Sequence, residues 1–92
     1  MLSLQKVNEF YKILEPYLPD QTLEILSYAG IVIDRIAVSN PRAFTQACMV
    51  LTGKNRVETM AMGGAKLHEI FIEGLTVNHF PDYVQFVKGM GL

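Results

Sequence analysis

The sequence predicts an all-α fold, a compact bundle of five or six short helices. Three observations carry that expectation. Apolar residues recur at three- and four-residue spacing along most of the chain, and Pro and Gly act as punctuation between the periodic segments. No stretch alternates apolar and polar residues over four or more positions with turn signals at both ends, so strands are not expected. At 92 residues the chain is read as a single helical domain, residues 1–92. A domain of that size buries only about 60 to 65 per cent of its unfolded surface. Half of its residues are apolar and 18% are charged, where about 25 per cent is usual. A surface so short of charge favours association.

The first helix is expected from Ser3 to Leu14. Ser3 serves as the N-cap, and Leu4, Val7, Tyr11 and Leu14 form an inward stripe with Phe10 beside it. Glu15-Pro16-Tyr17-Leu18-Pro19 breaks it, because a residue that precedes Pro is pushed out of helical geometry.

Pro19 or Asp20 then opens the most apolar segment, Thr22 to Val38. A 3.6-residue period places Leu23, Leu26, Gly30, Ile33, Ile36 and Ala37 on one face, widened by Ile25, Ala29 and Val32. The opposite face holds Ile31 and Val38 among Glu24, Ser27, Asp34 and Arg35. Such a helix needs cover on both sides, so a second copy or a partner protein is expected, with Ile31 and Val38 as the leading contact candidates.

Asn40 caps a third helix with Pro41 in its first position, where a missing N–H costs nothing. Phe44, Ala47, Cys48 and Leu51 face inward, and Gly53 suits the left-handed residue beyond its end. Asn55 and Glu58 resemble a capping box for a short fourth helix, whose apolar side is Val57, Met60 and Ala61. Gly63-Gly64 ends it. The fifth helix runs from Ala65 to Val77 with Leu67, Ile70, Phe71 and Leu75 at core spacing, and Gly74 marks a close helix crossing. After a turn at Asn78 and His79, Pro81 starts a last helix with the stripe Tyr83, Phe86, Val87 and Met90. That helix either docks on its own core, the preferred reading, or is offered to a partner's groove. On the second possibility Phe80, Tyr83 and Phe86 join Ile31 and Val38 as partner-binding candidates.

No chemistry is assembled. His68-Glu69-Ile70-Phe71-Ile72 begins like a zinc-protease signature, but Ile72 stands where the second imidazole must be. Glu69 and Glu73, with Lys66, read as the polar side of the fifth helix, and His79 as a turn residue. Gly63-Gly64-Ala65-Lys66 lacks the strand, spacing and hydroxyl of a phosphate loop. Cys48 is expected to be a buried structural thiol, with no partner for an intramolecular disulfide. Met49, Met60 and Met62 are expected to pack in the core or loops rather than to form an adaptable recognition surface. No catalytic, metal-binding or cofactor-binding residue is therefore expected, and the chain is not read as an enzyme.

Eight Lys and Arg against nine Asp and Glu give a net charge of −1, scattered along the sequence. Nucleic-acid binding, including a helix-turn-helix reading with the helices from Pro41 and Arg56, is not expected. A DNA reader needs a basic face, and Lys54 to Arg56 plus Lys66 read as a solvated connection. MLSLQKVNEF is not a signal peptide, and the apolar run Ala29 to Ile33 is far shorter than the roughly 20 residues a membrane span needs. A soluble cytoplasmic protein is expected.

From Phe44 onward the features fall in the order AFTQACMVLTGKN, VETMAMG and KLHEIFIEGLTVNHFPDYVQFVKGMG. An apolar helix ending in Leu-Thr-Gly-Lys, a short spacer helix, and a Phe-containing helix leading through Asn into an aromatic helix resembles the tail assembly chaperones of long-tailed bacteriophages. That resemblance implies a non-enzymatic protein of the infected host's cytoplasm. It implies coating of the tape-measure protein and recruitment of tail-tube subunits, and it carries over no catalytic residue.

Overall fold

The computed structural model describes residues 2–20 and 23–90. Over that range it is all-α: α1 (Leu4–Leu14), a 3₁₀ turn (Glu15–Tyr17), α2 (Ile25–Ser39), α3 (Pro41–Thr52), α4 (Arg56–Ala61), α5 (Gly64–Val77) and α6 (Phe80–Gly89). α3 lies centrally, packing on α1, α2, α4 and α5, while α6 packs on α5.

Local chemistry sets the boundaries. The Ser3 hydroxyl accepts from the Lys6 N–H at the start of α1, and the Asn40 side chain accepts from the Ala43 N–H ahead of Pro41. Gly53 closes α3 with φ 71, a left-handed angle that a residue without a Cβ adopts freely. The capping box opening α4 is complete: the Asn55 side chain accepts from Glu58 N–H at 2.8 Å, and Glu58 Oε1 accepts from Asn55 N–H at 3.4 Å.

The second helix starts later than expected. Pro19 and Asp20 lie outside it, Thr22 falls outside the described residues, and the Glu24 carboxylate accepts from Leu26 N–H as the cap. Arg35, one α-helical arm further on, donates to Leu18 O at 3.1 Å and Tyr17 O at 3.5 Å, tying the 3₁₀ segment down beside α2. The inward face of α2 is also rotated by one residue. Tyr28, Ala29, Val32, Ile33 and Ile36 are buried, whereas Leu26, Gly30 and Ala37 of the expected stripe face out.

The core is aromatic at its centre. Phe10, Phe71 and Phe80 are fully or almost fully buried, with Phe10 lying 5.6 Å from Phe71 and edge-on to Phe80 at 5.1 Å. Phe44 packs against Phe71 with ring centroids 5.2 Å apart and the planes tilted by 31°. Each fully buried large side chain contributes roughly 1.5 to 3 kcal/mol, and the ring geometries are those the aromatic quadrupole favours.

α3 and α5 cross closely at Gly74. A Cβ there would lie 2.7 Å from Leu51 Cδ2, so any larger residue at this position must displace the Leu51 side chain. In α4 the expected apolar side is wrong. Val57 and Met60 are 77% and 58% exposed and Ala61 is exposed, while Thr59 is buried and anchors the helix. Six residues with a complete cap hold α4 without an apolar face of its own.

Candidate functional site

α1 and α6 each have two faces, and only one of each is spent on the core. Val7, Phe10 and Leu14 point inward from α1, and Phe80, Val84 and Val87 point inward from α6. Beside them runs a second set, Leu4, Asn8 and Tyr11 on α1 with Glu15 just beyond it, and Tyr83 and Phe86 on α6 with Met90 at its C-cap, each at helical i, i+3/i+4, i+7 spacing. These two sets form the walls of a groove of about 700 Å³, floored by Tyr11 and Val87 and flanked by Gln5 and Lys12. Leu4, Phe86 and Met90 are 76%, 63% and 57% exposed, and all three converge on this groove.

The walls are tied to each other. Tyr11 packs edge-on against Tyr83 at 5.9 Å, and the Tyr83 hydroxyl donates to Asn8 Oδ1 at 3.3 Å, which pins α6 to α1. Leu2 N–H donates to Asn78 Oδ1 at 2.7 Å and the Asn78 amide donates to Gly74 O at 2.8 Å, so the segment before α1 is fastened to the α5–α6 turn. In that turn His79 takes a left-handed conformation, φ 49, and delivers Phe80 into the core. Burial raises the Tyr11 hydroxyl above its ordinary pKa, with Glu15 and Tyr83 adding to the shift. The groove is thus apolar in character with a neutral phenol at its base.

The five residues expected at a partner surface separate here. Tyr83 and Phe86 line the groove. Phe80 does not: it is fully buried against Phe10 and Tyr11, because it opens α6 four residues before Val84 on the inward face. The stripe Tyr83, Phe86, Val87 and Met90 is accordingly an outward wall with Val87 at its inner edge, not the docking face. Val38 is 85% exposed on α2, and Ile31 is half-buried on the same side of that helix, but neither lines the groove. Leu4 and Met90, expected on the inward stripes, belong to the groove instead. The signal that separates them is a competing stripe: Val7, Phe10 and Leu14 already fill the inward arc of α1, leaving Leu4 on its flank.

The groups considered for chemistry stay apart. Cys48 is fully buried in α3, its Sγ–H directed at Leu67 O at 3.8 Å, and burial pushes its pKa up to about 11, which keeps it a thiol. His68, Glu69 and Glu73 are exposed on α5, where Lys66 and Glu69 form a loose pair at 4.0 Å. Met62 is half-buried and Met49 half-buried, while Met60 is exposed. Among the described residues no three His, Cys, Asp or Glu side chains gather at metal-binding distance, and no helix is long and apolar enough to cross a membrane. The chain matches no protein-family model, no curated protein and no solved structure.

Proposed function

We propose that this protein is a non-catalytic helical binding module that uses the α1/α6 groove to cover apolar helical surface on another protein. The observation behind this reading is the convergence of Leu4, Phe86 and Met90, three of the large exposed apolar side chains, on one groove. Patches of this kind, rimmed by polar groups such as Gln5, Asn8, Lys12 and Glu15, are the usual mark of a protein contact surface. An amphipathic helix lays its i, i+3, i+4 and i+7 residues into such a groove.

The specific role we favour is that of a phage tail assembly chaperone, following the resemblance from Phe44 onward. In that role the client is the long helical tape-measure protein, and a second copy of the chain covers the groove when the client is absent. Co-expression with the tape-measure protein of the same genome tests it. The wild-type chain keeps the client in the soluble fraction and Phe86→Lys does not. Equal solubility with either version overturns the reading.

A second reading is favoured by the placement of Phe86 and Met90 on α6 itself. In it the protein is a monomeric adaptor or inhibitor that binds one host protein through that helix. It predicts a one-to-one complex with a single partner and no self-association.

A further inference from the structure

The opposite flank of α1 carries a second groove, of about 600 Å³, between α1 and α3. Its chemistry differs from that of the first. Lys6 and Lys12 come from α1, and Lys54 is carried into the same rim by the turn at Gly53, whose left-handed backbone ends α3. One acidic residue, Glu9, lines it, and Glu9 is engaged at 3.5 Å by Lys6. Lys12 and Lys54 both line the groove and have no ion-pair partner among the described residues. That floor is Ile13, Met49 and Val50, all half-buried.

Three lysines from two distant stretches of sequence thus gather at one place in a chain whose net charge is −1. The arrangement is an apolar strip between ammonium groups. Phosphate backbones do not call for such a floor, and a purely apolar helix does not call for such a rim. A flexible thioether such as that of Met49 suits a site that adapts to apolar side chains.

We propose that the α1/α3 groove is a second docking site, and that its occupant is an amphipathic helix of a partner protein carrying acidic residues along both flanks of its apolar stripe. The carboxylates pair with Lys12 and Lys54 while the apolar residues cover Ile13, Met49 and Val50. Charge complementarity at the rim then sets which helices are accepted and how fast they arrive. This site stands independently of the α1/α6 groove, since its lining shares only Lys12 with the other.

The test uses the intact protein and three fluorescein-labelled peptides of about 18 residues, long enough to be helical when bound. All carry leucines at i, i+3, i+4 and i+7, flanked by Glu, by Gln or by Lys. By fluorescence anisotropy at low salt the Glu peptide binds about tenfold tighter than the Gln peptide, and the difference fades near 0.5 M salt, where charges are screened beyond about 4 Å. Lys54→Glu, which alters only this groove, removes the preference for the Glu peptide, and the double variant Lys12→Glu/Lys54→Glu inverts the order so that the Lys peptide binds best. Lys66→Glu, outside the groove, leaves the order unchanged. All three substituted lysine positions are exposed, so circular dichroism stays at the wild-type level in these variants. Equal binding of the three peptides, no binding, or an inversion produced as well by Lys66→Glu would each overturn the proposal. So would Met49→Asp leaving the affinity for the Glu peptide unaltered.

Discussion

Phe80 and Phe86 lie on the same ten-residue helix and meet opposite fates. Phe80 is fully buried against Phe10 and Tyr11, and Phe86 is 63% exposed on the wall of the α1/α6 groove. The two differ by six positions, about 240° around the helix when reckoned from a 3.6-residue turn. One holds the fold and the other is displayed by it. Hydrophobicity alone does not distinguish a residue that stabilises a core from one that recognises a partner; the rotation of the helix does.

Substitutions separate the two roles most widely at these phenylalanines. Phe80→Ala removes a fully buried ring and should cost about 3 to 5 kcal/mol in chemical denaturation, a large part of what a small domain possesses. Phe86→Ala should shift stability by no more than about 0.5 kcal/mol. Equal losses at both positions would mean that the groove is part of the core and not a free surface.

The α3/α5 crossing tests whether the scaffold behind the groove is tightly fitted. Gly74→Val places side-chain atoms where Leu51 already lies and should cost about 1 to 3 kcal/mol. Adding Leu51→Ala should recover part of that loss, and the recovery, measured as a double-mutant cycle, is the signature of direct contact. Strict additivity would dissociate the two residues.

A smaller effect of the opposite sign is expected at Thr59. Its hydroxyl is buried and has no hydrogen-bond partner among the described residues. Thr59→Val keeps the shape and removes the orphan, so it should raise stability by about 1 kcal/mol. An unfavourable change would show that the hydroxyl has a partner after all.

Alkaline pH probes burial at two further core positions. Cys48 is raised from 9.0 to about 11 and Tyr28 from 10.0 to about 12, in both cases by burial first, with Tyr11 adding to the shift at Tyr28. Both groups are held neutral in the folded protein, so the folded state retains protons that the unfolded state gives up. Their contribution to stability is present in full below pH 9 and is lost as the pH rises, through 9 to 11 for Cys48 and 10 to 12 for Tyr28. Melting midpoints measured across that range should fall, and Cys48→Ala should flatten the lower part of the decline. A decline of the same slope in that variant would place the thiol in solvent.

Much of this fold is legible in the sequence because its boundaries are written in single residues. Ser3, Asn40 with Pro41, Gly53, and Asn55 with Glu58 each perform the capping role that their identity suggests. Gly74 likewise announces a helix crossing. The faces are less legible. α2 and α6 carry apolar residues around much of their circumference, so a 3.6-residue period admits two inward arcs that differ by about 100°. For α2 the period puts Leu26, Gly30, Ile33 and Ile36 on the inward face with Ala29 and Val32 at its edge, where the fold centres that face on Ala29, Val32 and Ile36 and adds Tyr28. For α6 the chosen arc held Phe86 and Met90 where the fold buries Phe80 and Val84. The α6 wall of the groove follows from the arc left over. The lysine-rimmed groove has no local signature at all, because Lys6, Lys12 and Lys54 meet only once α1 lies on α3.

The α1/α6 groove as a contact surface is tested most directly by the solution mass of the free protein, measured by light scattering after size exclusion over a concentration series. The account predicts that the wild-type mass rises from the 10.3 kDa of one chain towards twice that value. Phe86→Lys should remain a monomer with unchanged helical circular dichroism, and Val38→Lys on α2 should associate as the wild type does. A wild-type protein that stays monomeric at the highest concentration, or a dimer broken by Val38→Lys and not by Phe86→Lys, would contradict it.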